Sequence, residues 1–228
     1  MAAIDYASNT AQRTPCMLVL DASGSMSTKE KNGFTRIQML NQGITAFHAA
    51  LMADEIALSR VQVAMVNVGG PTEEPELVLD WTDAELFQPF ELVACHSTPL
   101  AKGVCVALDA IEEQKTKLRS AGIAYTRPWM LIITDGEPTD EPNEWTKACQ
   151  RLQDAEREHK VQVYPVGIGE ADLIRLAELS QTNPMRMDNI RFRELFVWLS
   201  ASLGQISRSA PGDKVQLPST DPWAAVKL

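Results

Sequence analysis

Four aliphatic runs along the chain, Cys16 to Leu20, Val61 to Val68, Trp129 to Thr134 and Val161 to Val166, are nearly continuous rather than alternating. Runs of that kind read as strands covered on both faces, because a half-solvated strand alternates apolar with polar positions. A shorter run, Leu77 to Trp81, fits an edge strand antiparallel to the rest. Pro165 has no N–H to give to a ladder, so it belongs near a strand end or a bulge.

Helical spacing fills the intervals. Ile37, Leu40, Ile44, Phe47 and Leu51 recur along one helix face, as do Leu100, Val104, Leu108 and Ile111. Trp145, Ala148, Leu152 and Ala155 form a third such face, and Leu195, Leu199, Leu203 and Ile206 a last one. Pro142, after an acidic pair, suits a helix first turn, and a short helix covers Asp172 to Leu179. Strands alternating with helices imply right-handed crossovers. The expected architecture is therefore a doubly wound, Rossmann-like α/β fold. Its central sheet is mostly parallel, has helices on both faces and carries one antiparallel edge strand. The expected organisation is an extension over residues 1–12, one domain over 13–209 and a tail over 210–228. That tail has three prolines, one glycine and no helical period, and reads as an extended strap or a flexible end.

Composition narrows the function. The chain has 228 residues, 45% of them hydrophobic and 22% charged, which is enough for a proper core. Its net charge of -9 argues against a nucleic-acid partner, whose phosphates would meet a repelling surface. The first fifteen residues lack the basic start and apolar stretch of a secretory signal, and no apolar segment approaches the ~20 residues of a membrane span. Cys16, Cys95, Cys105 and Cys149 make no C-x-x-C pair and read as small hydrophobes in a reducing compartment. The expected location is the cytoplasm.

In sheets of this class ligands collect outside the carboxyl ends of the strands. The loop there reads LVLDASGSMS, with Asp21, Ser23 and Ser25 spaced so that one carboxylate and two hydroxyls share one side of a tight turn eased by Gly24. The stretch CHSTPL sets Thr98 before a helix, and LIITDGEPTD ends a strand at Asp135. Two carboxylates and three hydroxyls are hard oxygen donors. They select Mg²⁺, with Mn²⁺ or Ca²⁺ as alternatives, over zinc or copper. Such a set neutralises the ion poorly and leaves an outer position for a partner's Asp or Glu carboxylate.

LVLDASGSMS, Thr98 and Asp135, in that order and all at strand ends, resemble the metal-ion-dependent adhesion site of von Willebrand factor A domains, over roughly residues 13 to 209. The resemblance implies direct ligation by Ser23 and Ser25. Thr98 would bind directly in a ligand-competent state and through water otherwise, and Asp21 and Asp135 would hold metal-bound waters or coordinate directly. RPWMLIITDGEPTDEP further resembles the bacterial TerY-type group of tellurium resistance and stress response. That group implies a scaffold or adaptor role beside a protein kinase and a PP2C-type phosphatase. The segment Lys29 to Asn32 adds length and charge to the first loop, and is expected to set partner choice on the metal face.

Each position also has a plainer use. Asp21, Ser23 and Ser25 can form a polar turn, Thr98 a helix N-cap, and Asp135 a turn before Gly136. Glu137, Thr139 and Asp140 read as a solvated loop, His96 as structural and Trp145 as core. Trp223 either docks on the domain or stands exposed as a partner anchor. No catalytic residues are expected. An aspartyl-phosphate enzyme needs a second carboxylate two residues after Asp21, where this chain has Ser23. The alternative is a subunit of an AAA+ ATPase machine of the chelatase kind. The chain has no phosphate-binding loop of its own, so the ATPase would be another protein.

Overall fold

The computed structural model describes residues 9–187, 191–209, 215–220 and 224–225. Strands β1 (Thr14–Ala22), β2 (Val61–Gly69), β4 (Trp129–Thr134), β5 (Gln162–Ile168) and β6 (Met185–Met187) run parallel, while β3 (Glu76–Asp83) pairs antiparallel with β2. A two-residue strand, β7 (Ala224–Ala225), adds a second antiparallel pairing beyond β6, giving the order β3-β2-β1-β4-β5-β6-β7. The expected doubly wound sheet with its antiparallel edge is thus present. Trp223, singled out in the sequence, lies outside the described residues.

Along β1 the side chains divide by parity. Cys16, Leu18 and Leu20 face a core shared with α1 (Arg36–Met52), α2 (Glu55–Arg60) and α6 (Phe192–Arg208). Met17 and Val19 face the opposite core, closed by α3 (Leu100–Ser120), α4 (Pro142–Arg157) and α5 (Leu173–Ala177). Both faces of β1 and β2 are buried throughout, which is why their sequences show no alternation. All four expected helical faces are buried in these cores, though Ala155 and Ile206 only partly.

Pro165 departs from expectation, because it sits within β5 opposite Ile132 of β4. It is tolerated there since β6 pairs only with Val166 to Ile168, so Pro165 has no partner strand on that side. Cys16 and Cys149 are buried, and all four cysteines are unpaired.

The last turn of α6 is fastened to its surroundings. Ser207 Oγ and Thr14 Oγ1 lie 2.8 Å apart, Arg60 donates to the Ser207 carbonyl, and Arg208 donates to both carboxylate oxygens of Asp54 at 2.7 and 2.8 Å. Trp198 on the same helix donates its indole N–H to the Pro218 carbonyl at 2.8 Å, which holds Pro218 against α6. From β1 the chain crosses through α1 and α2 to β2, then returns through α3 on the other face to β4. The loops after β1 and β4 therefore diverge and leave a crevice at the carboxyl end of the sheet.

Candidate metal centre

Asp21 is the penultimate residue of β1 and is fully buried. Its Oδ1 accepts the Ser23 N–H at 2.8 Å and its Oδ2 accepts the hydroxyl of Thr134, at the end of β4, at 2.5 Å. Burial pushes the Asp21 carboxyl above its ordinary range. The bonds from Ser23 and Thr134 oppose that, and the neighbouring Asp135 charge adds to it.

After β1 the chain enters a short 3-10 turn, Gly24–Ser27, with Ser23 in extended conformation before it and no side-chain cap from Ser23. That leaves the Ser23 hydroxyl for its neighbours. It lies 3.0 Å from Ser25 Oγ, which donates to Asp135 Oδ1 at 2.5 Å. Gly24 does not adopt a positive φ; its N–H donates to the His96 carbonyl at 2.9 Å, which brings the Thr98 loop against the turn. Ser25 is exposed while Ser23, Thr98 and Asp135 are buried, so the cluster opens to solvent at Ser25.

Thr98 does not cap α3. Helix α3 begins after Pro99, and the Asp140 carboxylate accepts the N–H groups of Ala101 and Lys102 at 2.9 and 3.2 Å. Asp140 is thus a cap rather than a solvated residue. Thr139 ties the same loops together, accepting the Thr98 N–H at 3.1 Å and donating its own N–H to the Thr98 carbonyl at 2.9 Å. The Thr98 hydroxyl makes no hydrogen bond among the described residues. A β-carbon placed on Gly136 would lie 3.6 Å from Thr98 Oγ1 and 3.8 Å from Ser25 Oγ, so both hydroxyls reach the space over this glycine.

Sequence reasoning did not anticipate Arg36 or Thr134. Arg36 opens α1 behind a capping box of Thr35 and Gln38. Its Nη1 donates to Asp135 Oδ2 at 2.7 Å and its Nε to Glu30 Oε1 at 2.8 Å. Burial alone would lower the guanidinium pKa, but its bonds to Asp135 and Glu30 raise it above the ordinary value. One signal was available. A cation in the first turn of a helix opposes the macrodipole, so an arginine there calls for an acidic partner.

Ser23, Ser25, Thr98, Asp21 and Asp135 thus gather at one end of the sheet, and their chemistry fits a hard divalent cation. Among the described residues no three His, Cys, Asp or Glu side chains form a metal-binding group. His96 is exposed with a positive φ of 59°, and Trp145 is core, as expected. Among the described residues no helix is long and apolar enough to cross a membrane.

No family model matches the chain, and no characterised protein is similar enough in sequence to match it. Solved structures do match. The VWA domain of SpRpn10 superposes with a TM-score of 0.52 at 12% identity, over 76% of this chain and 86% of that one. Proximal thread matrix protein 1 from the mussel byssus gives 0.54 at 12% identity, over 86% of this chain and 49% of that protein. The pilus adhesin SpaC from Lactobacillus rhamnosus GG, in its open conformation, gives 0.61 at 13% identity, over 87% of this chain and 31% of the adhesin. At these identities the likeness shows the fold alone, which is von Willebrand factor A-like.

Proposed function

We propose that this chain is a metal-dependent protein-binding module that acts as an adaptor. Ser23, Ser25 and Thr98 would hold Mg²⁺ first, or Mn²⁺ or Ca²⁺, with Asp21 and Asp135 behind them. The observation that carries this reading is the gathering of three hydroxyls beside Asp135, with Ser25 donating to it at 2.5 Å, Ser23 3.0 Å from Ser25, and Thr98 reaching with Ser25 over Gly136. The bound ion supplies a Lewis-acidic position for a carboxylate from a partner's Asp or Glu. The chain's own residues set which partner fits. A hollow of about 290 Å³ beside Thr98 is lined by Glu73, Glu74, Lys102, Asp140, Glu141 and Glu144, so a carboxylate flanked by basic residues is the complementary motif. The reading is non-catalytic, because Ser23 stands where an aspartyl-phosphate enzyme places its second carboxylate. The resemblance of RPWMLIITDGEPTDEP extends the proposal to a cytoplasmic tellurite-resistance or stress-response system, with a protein kinase and a PP2C-type phosphatase as partners.

A pull-down from the native host tests this, comparing wild type in Mg²⁺, wild type in EDTA and a Ser23→Ala/Ser25→Ala variant in Mg²⁺. The expected result is a partner retained only by wild type in Mg²⁺. A kinase or phosphatase in that fraction supports the signalling setting, whereas an AAA+ ATPase assigns the chain to a chelatase-like machine. Identical partners in all three samples overturn metal-dependent recognition.

A further inference from the structure

Arg36 joins three of the loops at the carboxyl end of the sheet. It reaches Glu30 in the loop before α1 and Asp135 after β4, and it lies against Gly169 after β5. The Asp135 side chain has no solvent exposure and that of Arg36 only 13%, so this is a largely buried charge pair. Gly169 makes room for it. Its φ is +54°, and a β-carbon there would lie 2.6 Å from Arg36 Nη2. The guanidinium thus has a built seat, with a carboxylate on each side and a glycine beneath.

Asp135 serves two groups through two oxygens. Oδ1 faces the serine hydroxyls, and Oδ2 is held by Arg36. A divalent cation on the hydroxyls would stand across one carboxylate from a fixed positive charge, in a setting screened far less than the surface. We propose that Arg36 is a built-in counter-cation of the metal centre. It neutralises Asp135 and thereby lowers the affinity of the site for its metal, so that metal binding and the Arg36–Asp135 pair oppose each other. This rests on the metal-binding reading above. By linkage, the opposition runs both ways: what loosens Arg36 tightens the ion, and the ion loosens Arg36. The three loops that Arg36 joins are then held less firmly when metal is bound.

The test is Mn²⁺ titration of the whole chain by calorimetry, with thermal unfolding in EDTA and in Mn²⁺. Arg36→Gln removes the charge. Gly169→Ala leaves the arginine but fills its seat, which provides a second route should the first variant not fold. Both are expected to melt below wild type in EDTA. Both are also expected to bind Mn²⁺ more tightly, Arg36→Gln by on the order of tenfold, as loss of a like charge across a largely buried carboxylate requires. A purely structural arginine would lower the melting temperature and leave affinity unchanged or weaker. If wild type binds Mn²⁺ and neither variant binds it more tightly, the counter-cation role is overturned while the metal reading stands. If neither wild type nor variant binds Mn²⁺, the metal reading itself fails. Binding by a variant where wild type shows none supports both.

Discussion

Asp21 lies wholly out of solvent, close enough to Asp135 for the two charges to oppose each other. Its folded pKa is raised, so its stabilising contribution is complete below the unfolded value of ~3.9 and is lost as pH rises through the folded value. At neutral pH the ionised carboxylate therefore costs stability. Asp21→Asn keeps an acceptor for the Ser23 N–H and offers an amide N–H to the Thr134 hydroxyl. In EDTA at pH 7 the variant should melt above wild type, with the advantage shrinking as pH falls through the raised folded pKa of Asp21, where the wild-type side chain also takes up its proton. It should lose any stabilisation by Mg²⁺ or Mn²⁺. Calorimetric scans across pH, with and without metal, check both halves. The five candidate residues were visible in the sequence because their types and strand-end positions are local properties. The pairing of Arg36 with Asp135 was not, since it spans 99 residues and depends on where two crossovers end.

Helix α1 packs on α6 through Gly43, where a β-carbon would meet the Phe196 ring at 2.7 Å and Phe192 Cβ at 2.8 Å. Alanine is the better helix former by ~1 kcal/mol, yet here it would force the helices apart, at a cost of roughly 1–3 kcal/mol. Gly43→Ala should therefore show a lower midpoint in urea denaturation, despite its higher propensity. An unchanged or higher midpoint would mean that the contact relaxes freely. The elements that periodicity found are the long ones. Helix α2 went unseen because it has six residues, too few to show a period, although Asp54 caps it by accepting the N–H groups of Ile56 and Ala57 at 3.0 Å. Strands β6 and β7, three and two residues long, carry no pattern at all and exist through pairing with what precedes them.

Across the whole molecule, one sheet separates two cores, and the candidate centre spans the carboxyl ends of β1 and β4 between them. A ligand that binds only the folded chain stabilises it by mass action, about 2.7 kcal/mol at a hundredfold excess over Kd. Mg²⁺ or Mn²⁺ should therefore raise the melting temperature of wild type, and EDTA should reverse the shift. Ser23→Ala/Ser25→Ala should melt at the same temperature in either condition. A rise of equal size in that variant would place the stabilising ion elsewhere.

The ties around Ser207 give α6 a mechanical character. Its amino end lies at the same end of the sheet as the candidate metal centre, while its carboxyl end is bolted to Thr14, Arg60 and Asp54. Sliding by one turn, ~5.4 Å, would shear all of these bonds at once, and the Trp198–Pro218 bond with them. Tilting about Ser207 would leave the bolts in place. A rod anchored at its far end transmits leverage but not thrust, so any message carried along this helix from the end that holds the candidate centre arrives as a change of angle.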